Sequence, residues 1–279
     1  MSTPDQLASA SELATASAGG NTAAAVPTVA AAVPTVLVSN QEGVATLTLN
    51  RPGARNALNN AMCAELLGAL TAIAADESVR VVFIKANGPV FCAGADLKER
   101  QGMDEAAVRA RRMSAFAAYA AIEALPMPCI AVVEGPAVGS GCEIAAACDF
   151  IIATDKASFK TPEALWGTVG ATQRLPRILG KRLAKDMMFT GRVLSAQEAH
   201  GMGLVARIVP EAALGAVLGE VAETICKAPP AALKLAKRCV DTGIEQDPQG
   251  ALQTELDAIE ENLARNNWKA GIARFGDKK

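Results

Sequence analysis

Residues 129–133 (Cys-Ile-Ala-Val-Val) are apolar throughout, and residues 81–85 are apolar until the closing Lys85. Runs of this length suit strands covered on both faces, which calls for a parallel sheet with helices packed over it. The sequence between them supplies such helices. Met62, Leu66, Leu70 and Ile73 recur at helical spacing, so a helix over about 59–75 buries one face, and a longer helix is expected over about 104–125. Val44–Leu49 sets Ala45, Leu47 and Leu49 against Thr46 and Thr48, the alternation of a half-buried strand, and Arg51-Pro52-Gly53 ends it. A helix is expected from about Ser140, then strands at 150–153, 157–159 and 204–209. Strand and helix alternate as far as Pro210; beyond it only helix is expected, to about Arg265. The fold class is therefore α/β with parallel pairings.

Composition narrows the function classes. At 279 residues, 51% hydrophobic and 20% charged, the chain can bury a self-sufficient core, and disorder throughout is excluded. A formal net charge of -2 offers no positive excess for nucleic acid or an anionic membrane, so neither partner is expected. Seven cysteines without a CxxC pair read as free thiols of a reducing cytosol, and no metal site is expected. His200, the single histidine, reads as a packing or helix-surface residue. Residues 1–50 contain no Lys or Arg, which fits neither a secretory signal nor an arginine-rich transit peptide, so the expected location is cytoplasmic. Residues 23–29, AAAVPTV, recur as residues 30–36. Their prolines would interrupt a membrane-spanning helix, so residues 1–35 read as a flexible Ala/Pro/Thr-rich leader, followed by a core over 36–210 and a helical region over 211–279.

Two glycine-bearing turns are the candidate sites for chemistry. In Gly135-Pro136-Ala137-Val138-Gly139-Ser140-Gly141-Cys142-Glu143, between an expected strand and helix, glycines admit a ligand close to the backbone. The first helical turn also presents unpaired N–H groups there. The same residues allow a purely structural reading, because Ser140-x-x-Glu143 has the form of a capping box. A dinucleotide fingerprint is incomplete, with Ile144 where its third glycine belongs. The second turn, Phe91-Cys92-Ala93-Gly94-Ala95-Asp96-Leu97-Lys98, follows the strand at 81–85, and Lys98 or Arg100 either approaches phosphate or is simply solvated.

Taken together, Asn50-Arg51-Pro52 with Asn56-Ala57-Leu58, Phe91-x-Ala93-Gly94-Ala95-Asp96-Leu97, Gly139-Ser140-Gly141-Cys142-Glu143 with Cys148-Asp149, Pro162-Glu163 and Thr172-Gln173-Arg174-Leu175 resemble the crotonase superfamily, the enoyl-CoA hydratase/isomerase family. The stretch 91–100 is also similar to hydratases of the methylglutaconyl-CoA type. The resemblance implies a crotonase-like spiral of ββα units, a C-terminal helical trimerisation region, and homotrimers or hexamers. It implies an acyl-CoA thioester substrate and no separate cofactor. Carried over by motif, Ala95 and Ser140 supply an oxyanion hole. Glu143 and Glu163 are the acid/base pair, and Arg55, Ala57, Asp96, Leu97 and Lys98 lie beside CoA. The implied reaction is hydration of the C2=C3 bond of a short- or medium-chain 2-enoyl-CoA. Alternatives are 3-enoyl to 2-enoyl isomerisation or acyl-CoA binding without chemistry. Two departures from the family pattern stand out: Ser140 occupies a position usually held by glycine, and residues 167–172 are about three residues shorter than the family loop.

Overall fold

A computed structural model describes residues 33–265 together with 268, 269 and 272. The leader's residues 1–32, and with them the first copy of the repeat, lie outside the described residues. From Pro34 onward the chain forms one compact unit. Its elements run β1 (Val36–Gln41), β2 (Val44–Leu49), α1 (Asn60–Ala75), β3 (Val81–Ala86), α2 (Leu97–Arg100), α3 (Glu105–Glu123), β4 (Cys129–Val133), β5 (Pro136–Val138), α4 (Ser140–Ala147), β6 (Phe150–Ala153), β7 (Ser158–Lys160), α5 (Arg174–Leu179), α6 (Lys181–Thr190), β8 (Leu194–Ser195), α7 (Ala196–Gly201) and β9 (Arg207–Ile208). Helices α8 (Leu214–Lys227), α9 (Pro230–Gly243) and α10 (Pro248–Ala264) follow. Among the described residues no helix is long and apolar enough to cross a membrane.

Two sheets result. The larger has the order β1-β2-β3-β4-β6-β9, parallel except for the β1–β2 hairpin. The smaller has the order β5-β7-β8. The units β4-β5-α4 and β6-β7-α5 each give their first strand to the large sheet and their second to the small one, as a spiral of ββα units does. In the unit after β3, residue Cys92 takes the second strand's place, bridging to Ala137.

Every residue of β4 is buried, as its unbroken apolar character requires, and so are Val81, Val82, Phe83 and Ile84 of β3. The large sheet therefore has a core on each face. Leu47, Leu49, Ile84, Leu66, Leu70 and Ile122 meet on one side; Val81, Phe83, Ile130, Val132 and Val221 of α8 meet on the other. Removing each such side chain from water stabilises the fold by about 1.5–3 kcal/mol before chain entropy is set against it. The expected strand at 204–209 shrinks to Arg207–Ile208, because the amides of Leu204 and Val205 turn back to the Ala199 carbonyl at the end of α7. His200, exposed near the end of α7, donates through Nδ1 to the Val205 carbonyl at 2.8 Å, a helix-surface role.

One buried polar side chain fixes the loop that leads toward the site. Asn56 is fully buried with φ of 52°. Its Oδ1 accepts from the Arg51 amide at 2.7 Å, and its Nδ2 donates to the carbonyls of Asn87 at 2.9 Å and Val90 at 2.8 Å. Asn56→Ala strands those three groups and removes a residue that tolerates the left-handed region. It is expected to lower the unfolding free energy by about 2–4 kcal/mol, read as a reduced urea midpoint at unchanged slope.

Candidate active site

Residues 92–95 run between two partners. On one side the Val138 amide donates to the Cys92 carbonyl at 2.9 Å. On the other the Leu58 amide donates to Gly94 O at 2.8 Å and the Asp96 amide to Leu58 O at 2.9 Å. In a parallel ladder the residue between two such bonds turns its own N–H away from the partner, so the Ala95 amide faces the opposite side and has no acceptor among the described residues.

Helix α4 starts beside this segment, and its close approach depends on two glycines. A Cβ at Gly141 would lie 2.5 Å from the Cys92 carbonyl oxygen. A Cβ at Gly139, whose φ is +52°, would lie 2.5 Å from Glu163 Oε1. Gly139, not Ser140, is the N-cap, and no side chain caps this helix. That overturns the capping-box reading of Ser140 and Glu143. Ser140 is the first helical residue, and its amide has no acceptor among the described residues. The chain's actual capping box is Ser195 with Glu198.

Both turns face one pocket of about 110 Å3, which Ala95, Leu97, Ser140, Glu143 and Glu163 all help to line. Arg55, Ala57, Asp96 and Lys98 are not among its lining residues. Asp96 caps α2, accepting from the amides of Lys98 and Glu99, and it pairs with Arg51 at 2.9 Å. Arg51 also donates to the Ala57 carbonyl, and the Arg55 carbonyl accepts from the Ala93 amide at 3.0 Å. These residues therefore hold the Ala95 turn in place.

The two glutamates reach the pocket from different elements. Glu143 lies one turn into α4, buried, with Arg174 Nη1 donating to Oε2 at 2.6 Å. Burial raises its pKa above the ordinary glutamate value, the Arg174 hydrogen bond and charge oppose that, and the Glu123 charge adds to it. Glu163 follows β7 at the start of a single 3₁₀ turn, Ala164–Trp166. Burial raises its pKa as well; its own backbone N–H opposes this, the Glu143 charge adds to it and the Arg112 charge opposes it. Glu163 Oε2 is buried without a hydrogen-bond partner among the described residues. The loop after it folds back over it. The Thr168 amide donates to the Glu163 carbonyl at 3.0 Å, a Cβ at Gly170 would lie 3.0 Å from Glu163 Cγ, and Ala171 sits buried at φ of 56°.

Four further side chains shape the site without having been singled out as candidates. Arg174, quoted only within a motif, bridges Glu143 to Glu123 at 2.6 and 2.7 Å while its guanidinium lies 5.5 Å from the centre of the Tyr119 ring. Tyr119, Phe116 and Arg112 line the pocket from successive turns of α3. Their spacing of three and four residues was the available signal; what hid them was that α3 buries a second face, Ala115, Ala118 and Ile122, in the core. Residues 102–113 contribute Arg111 and Arg112 to the lining, and α8, α9 and α10 contribute no lining residue. Among the described residues no cluster of His, Cys, Asp or Glu is arranged to hold a metal ion.

The raised pKa of Glu163 has a consequence for stability. Because the folded value lies above that of an unfolded glutamate, stability is greatest below the ordinary glutamate range and falls as pH rises through the folded value. Glu163→Gln keeps the shape and removes the charge, so it is expected to raise the thermal midpoint at neutral pH, the gain vanishing in acid where both side chains are neutral. A midpoint equal to wild type across that range contradicts a strained carboxylate.

The description enoyl-CoA hydratase/isomerase belongs to the family model that matches residues 39–279. The probable mitochondrial enoyl-CoA hydratase 2 of Arabidopsis thaliana is 38% identical over 247 residues, covering 87% of this chain and 82% of that one. The 2,3-dehydroadipyl-CoA hydratase of Escherichia coli (strain K12) is 37% identical over 247 residues, covering 88% of this chain and 96% of that one. The crystal structure of an enoyl-CoA hydratase from Bacillus anthracis matches with a TM-score of 0.85 at 38% identity, over 88% of this chain and 97% of that one. Spiral topology, ordered motifs and these likenesses agree: the chain belongs to the enoyl-CoA hydratase/isomerase family of the crotonase superfamily.

Proposed function

We propose that the protein hydrates a 2-enoyl-CoA, adding water across C2=C3 of a short acyl chain. The observation that carries this reading is the meeting in one pocket of two unpaired backbone amides, at Ala95 and Ser140, with two carboxyls of raised pKa, Glu143 buried and Glu163 half-buried. Attack of water at C3 moves electrons onto the thioester oxygen, and the two amides, placed there before reaction, stabilise that charge. Glu163, with Oε2 unpartnered, takes the proton from the attacking water, and Glu143 delivers a proton to C2. Burial of both carboxyls in a shared pocket lets one remain protonated while the other is ionised. The modest pocket suits a short chain. No cofactor is needed, since every proton in the balance comes from water or a carboxyl group.

One observation favours the same pair with roles exchanged. The 2.6 Å contact from Arg174 stabilises the ionised form of Glu143, as befits a base. Arg174→Met separates the two, since removing the arginine raises the Glu143 pKa. If Glu143 is the acid, the alkaline limb of kcat/KM moves to higher pH, which is the expected result. Movement of the acid limb instead assigns Glu143 as the base.

The short loop over residues 167–172 keeps isomerisation of a 3-enoyl-CoA as the neighbouring activity, because that reaction runs with one principal carboxylate. Loss of the conjugated absorbance of crotonyl-CoA is expected; gain of conjugation from a 3-enoyl-CoA with no loss from crotonyl-CoA overturns hydration. Glu143→Gln and Glu163→Gln are each expected to lower kcat by at least about a hundredfold with CoA affinity kept. Ser140→Pro removes the amide hydrogen together with the hydroxyl at a first helical position, where proline is accommodated, and Ser140→Ala is the control for the hydroxyl alone. Ser140→Pro is expected to cost about a hundred- to a thousandfold, whereas Ser140→Ala, which keeps that hydrogen, costs far less.

Assembly belongs to the same proposal. Val240, Ile244, Leu252 and Ile259 of α9 and α10 are exposed apolar side chains, and we assign them to contacts between copies in a trimer or a pair of trimers. Light scattering reads the mass directly.

A further inference from the structure

The pocket is walled mainly by apolar side chains, among them Leu97, Phe116, Trp166 and Val169, yet three guanidinium groups also line it. Arg111 is fully engaged within the protein: it is buried, donates to the Leu58 carbonyl, and pairs with Glu99 at 3.1 Å. Arg112 and Arg100 are not. Arg112 donates to the Thr168 hydroxyl, and the Arg100 side chain has no acceptor; neither is paired with a carboxylate among the described residues. Arg112 is half-buried and stands on the face of α3 that carries Phe116 and Tyr119.

A guanidinium has five donors and no acceptor, and facing it with an uncharged acyl chain strips its water without replacing the lost hydrogen bonds. A carboxylate replaces them in pairs, in the geometry that a guanidinium presents. We infer that Arg112, assisted by Arg100, makes this pocket selective for 2-enoyl-CoA thioesters whose acyl chain ends in a carboxylate. The inference rests on the hydratase reading for its substrate class, and on the unpaired arginines for the charge. CoA phosphates are the other anions within the substrate. They are held away from the thioester by the length of the pantetheine arm, whereas Arg112 donates to Thr168, whose own amide donates to the Glu163 carbonyl at 3.0 Å, so Arg112 lies beside Glu163 on the acyl side. Its contact with Thr168 places the same guanidinium against the loop that folds over Glu163, so the bound carboxylate would also close that side of the pocket.

The test compares pent-2-enoyl-CoA and hex-2-enoyl-CoA with counterparts in which the terminal methyl is replaced by carboxylate. The readout is the ratio of kcat/KM, carboxylate over methyl, because any effect of Arg112 on Glu163 alters both substrates alike. For at least one chain length wild type is expected to favour the carboxylate by about tenfold or more. Arg112→Gln is expected to lower that ratio by about ten- to a hundredfold, and Arg112→Lys by less. A wild-type preference for methyl, or an Arg112→Gln variant that slows both substrates with the ratio unchanged, overturns the inference and leaves hydration standing. Calorimetric binding of the saturated carboxyacyl-CoA and methyl-ended acyl-CoA supplies a readout independent of turnover. A carboxylate preference in binding that Arg112→Gln abolishes, in a protein that hydrates neither enoyl-CoA, upholds the site and refutes the hydratase reading.

Discussion

The start of α4 lies against the 92–95 segment with glycine backbone at the points of closest approach, and the rest of the site follows from that contact. With a side chain at Gly141 the helix would have to back away from the Cys92 carbonyl; with one at Gly139 it would collide with the Glu163 carboxylate. Held where it is, the helix leaves the Ser140 amide unpaired at its positive end and puts Glu143 one turn deeper, on the face that looks into the pocket. The Ala95 amide is free for a matching reason. Its neighbours satisfy the ladder to Leu58, and alternation along an extended segment points its own N–H the other way. Two donors without acceptors are costly once water is excluded, and under the proposed hydration they receive the thioester oxygen.

The two carboxyls illustrate how one pocket gives like groups different settings. Glu143 is clamped by Arg174, itself fixed by Glu123 and by the Tyr119 ring, so its position is set by an ionic chain running to the surface. Glu163 has no such clamp; it is held by its own backbone and by a short loop, and one oxygen is left bare. A carboxyl with a fixed partner transfers a proton from a defined place, while one with a bare oxygen is suited to hold a small mobile ligand such as water. Under the proposed hydration that contrast divides the proton work between the two carboxyls, and under the inferred specificity Arg112, beside Glu163, meets the far end of the acyl chain.

Much of the framework was legible residue by residue. The apolar run at 129–133 announced a strand buried on both faces, and the spacing of Met62, Leu66, Leu70 and Ile73 announced a helix with one buried face, because burial and periodicity are local properties of the chain. The short strand at Arg207–Ile208 was overextended in the sequence because Leu204 and Val205 look like strand residues, whereas their amides are claimed by the end of α7. Capping was misplaced for a similar reason. Ser-x-x-Glu has the same form at 140–143 and at 195–198, and only the second is a capping box, since Gly139 takes the N-cap position in the first and Arg174 captures its glutamate. The repeat teaches the same lesson. In the second AAAVPTV, Thr35 and Val36 donate their amides to Glu65 and Val36 begins a strand, although the letters are those of a leader.

By itself the sequence determined the alternation of strand and helix and the glycines that permit close approach, since each depends on residue type and spacing along the chain; the two glutamates were singled out only through the resemblance to a known family. Tertiary structure alone decided which partners those residues met. The Arg174 bridge to Glu143 spans 31 residues, the Arg112 contact with Thr168 spans 56, and the pairing of Arg51 with Asp96 spans 45. No periodicity encodes such distances. They arise because successive ββα units wind back over one another and bring the ends of distant segments to one pocket, where charge, burial and unpaired backbone act together.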